Sequence, residues 1–370
     1  MTKTQNDFTK VFTVIPDSKS KIKSSSYLES GKYAVVDQGK ELVAGYTDTT
    51  PTVNENSLPV IVFGDHTRAV KYVDFPFTAG ADGTKILKPS ALTNPKYGFY
   101  LVLHAVSQIP SKGYARHFGE LKKMHFPLPS LEKQREVVEK LDSAFAEIDF
   151  LEKNLSVQKS ALSEISSGKL DQVFSLKNEL DKEIRQITLS EIARVINGRA
   201  YSQPELLKQG LYPVLRVGNF FSNRSWYYSD LELDKDKYCD NGDLLYAWSA
   251  SFGPRIWDGS KVIYHYHIWK IEENKELVLR DWLYWWFLWD VKQIKEAHGT
   301  GSTMMHVTKG AMESRLVQLP SLEVQSQQIQ EISELQLATQ KLESNYMILA
   351  ENLFSLRNAV LASVFEEEVA

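Results

Sequence analysis

Four polar loops hold the side chains best suited to meet a charged, hydrogen-bonding ligand. In the first half, Gly64-Asp65-His66-Thr67-Arg68 follows an apolar run, and Lys112-Gly113-Tyr114-Ala115-Arg116-His117 lies before a proline boundary. In the second half, Trp248-Ser249-Ala250-Ser251-Phe252-Gly253-Pro254-Arg255 takes the place of the first loop, and His298-Gly299-Thr300-Gly301-Ser302-Thr303 that of the second. Arginine can fork to guanine O6 and N7, aspartate can accept from cytosine N4, and Ser, Thr and glycine-loop amides suit phosphate oxygens. A lone polar loop is usually a solvated turn, but here such loops recur at matching places in two halves. The residues expected to meet the ligand are Asp65, His66, Thr67, Arg68, Lys112, Arg116 and His117, then Arg216, Trp248, Ser249, Ser251, Arg255, Thr300 and Ser302.

Catalytic constellations are missing by contrast. No G-x-x-x-x-G-K-[ST] loop occurs, and Gly80-Ala81-Asp82-Gly83-Thr84-Lys85 lacks the glycine spacing of a phosphate cradle. Asn94-Pro95-Lys96-Tyr97 is similar to the Asn-Pro-Pro-Tyr motif of amino-methyltransferases, but Lys96 replaces the second proline and no glycine-rich cofactor strand precedes it, so a helix start is expected. His265 and His267 are expected to alternate on a strand with Tyr264, Tyr266 and Trp269, and no third ligand has the spacing for a metal. Catalytic and metal-ligating residues are therefore expected to be none.

The elements that position these loops are written twice. Leu128-Pro129-Ser130-Leu131-Glu132-Lys133-Gln134 returns 191 positions later as Leu319-Pro320-Ser321-Leu322-Glu323-Val324-Gln325, and without a gap Leu151-Glu152-Lys153-Asn154 falls on Leu342-Glu343-Ser344-Asn345 and Val173-Phe174 on Val364-Phe365. The prolines end whatever precedes them, and Ser130 and Ser321 can cap the helices that follow. Each helix is about 45 residues, roughly 65–70 Å at 1.5 Å per residue, and needs a partner for its apolar stripe. The stripe is read as Leu141, Ile148, Leu151, Leu155 and Leu162 in the first copy, and Leu335, Leu342, Tyr346, Leu349, Leu353 and Leu356 in the second, pairing antiparallel.

The intervening blocks echo each other more faintly. Gly31-Lys32-Tyr33-Ala34-Val35 parallels Gly210-Leu211-Tyr212-Pro213-Val214, Val60–Phe63 matches Leu244–Ala247, and Asn94–Leu103 matches the Trp-rich stretch near 280–289. Short apolar runs broken by Gly, Asn and Asp predict mixed α/β blocks. The expected fold is α+β: two such domains joined by two long helices that form an antiparallel coiled coil, with pseudo-two-fold symmetry. Boundaries fall at 1–127 and 186–320 for the domains, and at 128–185 and 321–370 for the helices with their linker.

Composition narrows the classes. One cysteine, Cys239, excludes a disulfide framework and suits a reducing cytoplasm. Met1–Asp7 leads into no apolar segment, and the most membrane-like run, Trp282–Trp289, is far shorter than the roughly 20 residues of a bilayer span, so it is expected to be a buried helix. The net charge of −4 is uneven: residues 1–127 hold 16 Lys and Arg against 11 Asp and Glu (+5), residues 186–320 hold 16 of each, residues 128–185 carry −3 and residues 321–370 carry −6. Phosphate would repel the acidic helices, which suit spacing or a protein partner instead.

With the Leu-Pro-Ser-Leu-Glu-x-Gln signature at 128–134 and 319–325, a long helix after each, and Gly-Lys-Tyr-Ala-Val-Val or Gly-Leu-Tyr-Pro-Val-Leu in the domain before it, the chain resembles the specificity subunits of type I restriction–modification systems over nearly its whole length. That resemblance implies two target recognition domains, each reading half of a bipartite, asymmetric site in double-stranded DNA. It implies helices that act as a ruler and dock a pair of methyltransferase subunits, with ATP-dependent restriction subunits beyond them. It also implies no catalysis and no membrane for this chain, with S-adenosylmethionine, ATP and Mg on partner subunits. The alternative from another class is a non-enzymatic coiled-coil interaction protein with two ligand-binding domains.

Overall fold

The computed structural model describes residues 5–16, 21–80, 82–110, 113, 115–175, 184–222, 224–249, 253–298 and 307–368. The first half runs β1 (Gln5–Asp7), α1 (Phe8–Val11), β2 (Phe12–Ile15), β3 (Tyr33–Val36), β4 (Gly45–Thr47), β5 (Val60–Gly64), β6 (Val70–Val73), β7 (Phe77–Ala79), β8 (Thr84–Pro89), α2 (Pro95–Gln108), α3 (Phe118–Lys123), β9 (His125–Pro127) and α4 (Leu131–Phe174). The second runs β10 (Arg185–Thr188), α5 (Leu189–Ile192), β11 (Ala193–Asn197), β12 (Tyr212–Leu215), α6 (Val217–Phe221), β13 (Tyr227–Ser229), β14 (Tyr238–Cys239), β15 (Leu244–Ala247), β16 (Gly253–Ile256), β17 (Val262–Tyr264), β18 (Ile268–Glu273), α7 (Arg280–His298), α8 (Lys309–Glu313), β19 (Leu316–Leu319) and α9 (Leu322–Ser363). These elements form two compact units, residues 1–156 with 346–370, and residues 157–345, so each long helix is shared between both.

Each unit follows one plan. In the first, an antiparallel sheet has the order β2-β8-β5-β6, and a second sheet, β4-β3-β7, pairs β3 parallel to β7. In the second, the antiparallel sheet is β11-β18-β15-β16, and β13-β12-β17-β14 again holds one parallel pair, β12 with β17. A two-stranded ribbon, β1 with β9 or β10 with β19, ties each unit's start to the strand before its long helix. Val60 to Phe63 in β5 and Leu244 to Ala247 in β15 are buried along their length, as central strands covered on both faces must be. The expected correspondence of these runs is therefore a topological one.

One helix packs on each antiparallel sheet. Asn94 caps α2, its side-chain oxygen accepting from the Lys96 and Tyr97 amides at 3.0 and 3.2 Å, with Pro95 in the first turn, so this motif is the helix start expected of it. The Trp-rich run lies in α7, where Trp282, Leu283, Trp286 and Phe287 are at most 2% exposed. The seven-residue repeat ends in a bracket. Gln134, fully buried near the start of α4, donates to the Leu92 and Pro129 carbonyls (2.9 and 2.8 Å) and accepts from the Asn94 amide (2.7 Å). Gln325 in α9 does the same with Leu277, Pro320 and Leu279, at 2.9, 2.9 and 2.8 Å. Each amide thus pins the loop leading into α2 or α7 to the proline turn that opens the long helix. Ser130 and Ser321 cap those helices through the Lys133 and Val324 amides, at 3.3 and 3.4 Å.

Each unit also receives the far end of the other helix. Phe365 packs on Tyr97 and stacks on His104, ring centroids 5.7 and 5.0 Å apart, in the core that holds Phe8, so the two termini share one core. Its repeat-mate Phe174 packs on Trp282 and Trp289 at 5.2 and 6.1 Å. In the first unit, Arg357 of α9 lies 4.8 Å over the Phe145 ring and bonds Asp149 and Glu152 of α4. In the second, Ser166 meets Thr339 at 3.3 Å and Lys169 meets Glu331 at 2.6 Å, an antiparallel register.

The apolar stripe differs from the heptad reading. Leu141, Ile148, Leu162 and Leu353 are buried and Leu155, Leu335 and Tyr346 half-buried, but Leu151, Leu342, Leu349 and Leu356 are 41–48% exposed. A strict seven-residue repeat drifts about 20° per heptad on a straight helix. Over this length it leaves one partner's surface, and the unit cores bury Val137, Phe145, Leu361 and Phe365 instead. The most membrane-like segment also lies elsewhere than expected. Among the described residues α9 is long enough, and at mean hydropathy 1.2 over 18 residues apolar enough, to cross a bilayer. Its Leu337, Met347, Ile348 and Phe354 are 55–70% exposed.

Candidate nucleic-acid interface

In the first unit the β5–β6 turn, the β7–β8 turn and the segments after β3 and before α3 converge at one end of the sheets. The Asp65 amide donates to the Gly83 carbonyl (2.8 Å), the His66 amide to Gln38 Oε1 (3.3 Å), and the Thr67 hydroxyl to the Gln38 carbonyl. Gly64 is required here, since a Cβ would stand 2.7 Å from that same carbonyl. Asp65 is 4% exposed, its carboxylate accepting from the Phe118 amide at 2.8 Å and its carbonyl from the His117 amide and Nδ1 at 2.9 and 3.0 Å. His117 is 1% exposed.

These contacts correct two expectations. Asp65 and His117 are not ligand-facing, because where the two loops meet the Asp65 carboxylate satisfies the buried Phe118 amide and the His117 ring the buried Asp65 carbonyl. Arg68 occupies the left-handed region (φ 62°), and its half-buried guanidinium donates to the Ile109 carbonyl at 2.8 Å. Thr67 and Arg116 are exposed and His66 half-buried. Lys112 lies outside the described residues. The sequence reading missed two cations beside this end: the ammonium groups of Lys85 and Lys122 stand 5.9 and 5.3 Å from the Phe118 ring. The signal was Gly83, with φ 91°, marking a turn one residue before the strand that carries Lys85.

The same end of the second unit is aromatic. His265, Tyr266 and His267 form the turn between β17 and β18, rather than alternating on a strand, and among the described residues no group of three potential ligands could hold a metal. Trp248 lies alongside. Its amide donates to the His267 carbonyl (3.0 Å), its indole N–H to the Tyr266 carbonyl (2.7 Å), and its ring stacks on Trp269 at 5.8 Å. Burial, then the neighbouring charges of His267 and Arg216, push the His265 imidazole down to about 4, leaving it neutral at physiological pH. Arg216 is half-buried 4.5 Å over the Tyr227 ring.

Two more expectations change here. Ser249 is 7% exposed, so its hydroxyl is not offered outward. Arg255 belongs to β16 rather than to a loop, and its guanidinium already donates to the Phe220 carbonyl at 2.6 Å and to Asp258 at 2.8 Å. Ser251, Thr300 and Ser302 lie outside the described residues. Trp248 and Arg216 remain at the loop end, joined by Tyr266 and His267, which lie in a turn instead of the expected strand.

Comparison with known proteins agrees with this duplicated architecture. A family model described as the type I restriction modification DNA specificity domain matches residues 2–158 and again 181–346. The specificity subunit of the type I restriction enzyme EcoR124I/EcoR124II from Escherichia coli is 28% identical over 200 residues, 51% of this chain and 48% of that protein, so the chain spans about half the length of the curated relative it matches. Among solved structures, a chain from work on complex assembly and conformational transition of the type I R-M system aligns over 100% of this chain and 95% of its own, with TM-score 0.72 at 14% identity. The HsdS subunit from Thermoanaerobacter tengcongensis aligns over 91% and 90%, with TM-score 0.56 at 15% identity. At such identities the two structures speak for the fold. Matched by one model in both of its halves, the chain belongs to the type I restriction modification DNA specificity domain family.

Proposed function

We propose that this chain is the sequence-selecting, non-catalytic subunit of a type I restriction–modification assembly, reading a bipartite and asymmetric site in double-stranded DNA. The observation that carries the reading is one scaffold present twice with different chemistry at the equivalent loop ends. Residues 1–127 and 186–320 act as recognition domains, and 128–185 and 321–370 as the helical segments between them. Thr67, His66, Arg68 and Arg116, with Lys85 and Lys122, serve the first half-site. Arg216 and Trp248 serve the second, together with Ser251, Thr300 and Ser302.

The helices supply the separation and the docking. Leu151, Leu342, Leu349, Leu356, Met347 and Phe354 are more exposed than a self-sufficient helix pair would leave them, and so large an apolar surface calls for a partner. In this reading a pair of methyltransferase subunits covers it and brings S-adenosylmethionine, while restriction subunits bring ATP and Mg. Cytoplasmic assembly follows.

The experiment is base-resolution methylation profiling of DNA from cells expressing the methyltransferase partner with and without this chain. A gapped, asymmetric motif that appears only with the chain is the expected result. Identical profiles from a verified complex would instead return the chain to the class of coiled-coil interaction proteins.

A further inference from the structure

The β17–β18 turn carries an exposed aromatic ring at the loop end of the second unit. Tyr266 is 39% exposed, yet the backbone beneath it is held from several sides. Its amide donates to the Arg199 carbonyl (3.0 Å), the Arg199 amide to the Tyr264 carbonyl (3.0 Å), and the His265 amide to the Leu215 carbonyl (2.9 Å). The Ile268 amide closes the turn on the His265 carbonyl at 2.9 Å, and the Trp248 indole takes the Tyr266 carbonyl. Behind the turn, Gly198 passes so closely that a Cβ would stand 2.4 Å from the His265 carbonyl oxygen, which is backbone and cannot give way. The rings of His265 and His267 flank the phenol, with centroids at 4.5 and 3.9 Å.

An aromatic side chain costs free energy when it is held partly in water, and this one is held there by fixed backbone rather than by a flexible loop. A phenol carries no charge for a phosphate. Its apolar face suits the apolar features of DNA, which are the base faces and the thymine methyl group in the major groove. Arg216, close enough to bias His265, keeps the surroundings cationic.

From this we infer that Tyr266 is a specificity-determining residue: its ring contacts a base of the second half-site, and the His265–His267 turn fixes where that ring stands. The inference rests on the DNA-recognition reading above and adds a named contact to it. Three variants of the assembled complex test it by methylation profiling and by binding to duplexes mutated one pair at a time. Tyr266→Ala and Tyr266→Gln both remove the ring, the second keeping a side chain of similar reach, while Tyr266→Phe keeps it. Both truncations are expected to lose about tenfold in discrimination at one base pair of the second half-site, with the first half-site unchanged, and Tyr266→Phe to keep the wild-type motif. Truncations that leave every position of the motif intact overturn the inference, and so does a loss spread evenly over all sequences, which marks a phosphate or a subunit contact. A wild-type complex without any gapped motif would instead remove the underlying functional reading, which separates the two failures.

Discussion

At its loop end the first unit presents ammonium and guanidinium groups, Lys85, Lys122 and Arg116, whereas the second presents mainly rings, Trp248 and Tyr266 with His265 and His267 beside them, together with the guanidinium of Arg216. Both ends stand on the same strand order and behind the same glutamine bracket. A second contrast lies in the cores. Asp290 of α7 is buried and paired with Arg315, while the positions at the matching places relative to the bracket and the repeat in the first unit are Ala105 and Met124, which join an apolar core. The bracket glutamine, whose partners are backbone atoms at the start of each long helix, is the same in both copies, because a chain following that path leaves the same amide and carbonyls to satisfy. Groups that face a ligand, or whose site can be filled by either an ion pair or a hydrocarbon, differ.

The bracket gives the largest expected effect and tests the shared half of that contrast. Gln134→Ala would leave the Leu92 and Pro129 carbonyls and the Asn94 amide without partners in a buried site, a loss of about 4 kcal/mol, and Gln325→Ala should cost the second unit as much. The eight tryptophans all lie between residues 226 and 289, so their fluorescence reports unfolding of the second unit alone, while circular dichroism reports both. Denaturant titrations read both ways should show Gln325→Ala shifting the fluorescence transition and Gln134→Ala shifting chiefly the dichroism. A loss under about 1 kcal/mol for either would mean that water replaces the amide and the bracket is dispensable.

The core contrast comes next. Asp290 is pushed up to about 6 by burial, against the opposing pull of the Arg315 guanidinium that pairs with it, and the buried Tyr246 hydroxyl of β15 lies close enough to feel its charge. A folded pKa above the unfolded value of about 4 means that the native chain keeps a proton the unfolded chain releases. The second unit should therefore lose stability as pH rises from about 4 to about 6, and level off above. Arg315→Met, which installs the first unit's residue, strands the carboxylate and should cost about 3 kcal/mol at pH 7, with less lost at pH 5. Adding Asp290→Ala should recover most of it and abolish the pH dependence, since Ala105 and Met124 pack in the first unit without charge. If the double variant is no better than Arg315→Met alone, the two cores are not interchangeable.

What the sequence disclosed follows the same division. Register-held matches at Gln134 with Gln325 and Phe174 with Phe365 mark the duplication and the helix starts, because equivalent packing keeps identical residues. Loop chemistry was legible only as polarity. Asp65, His117 and Ser249 are polar in order to satisfy or line the junctions between loops, and composition does not separate that use from recognition. The aromatic alternation around Tyr266 and His267 is a strand signal, whereas the turn is dictated by contacts from Arg199, Leu215 and Trp248, which lie far away in the chain. The heptad seam alone implies a single partner helix, whereas the unit cores claim its ends.

The smallest effects should separate cations from rings at the interface itself. A phosphate contact contributes counterion release, so removing one makes the fall of log K with log salt shallower by about 0.9 and weakens all sequences alike, while a base contact changes the motif and leaves the slope in place. Arg116→Ala and Lys122→Ala in the assembled complex are therefore expected to weaken binding several-fold, flatten the salt dependence by about one unit each and keep the methylation motif. Tyr266→Ala should do the reverse, narrowing nothing in the salt series but relaxing a base. Salt titration of the three variants on matched and mismatched duplexes decides between these patterns. If Arg116→Ala relaxes one base of the first half-site with an unchanged slope, its guanidinium forks to a base instead, and the first unit reads sequence with its charges rather than merely holding the backbone.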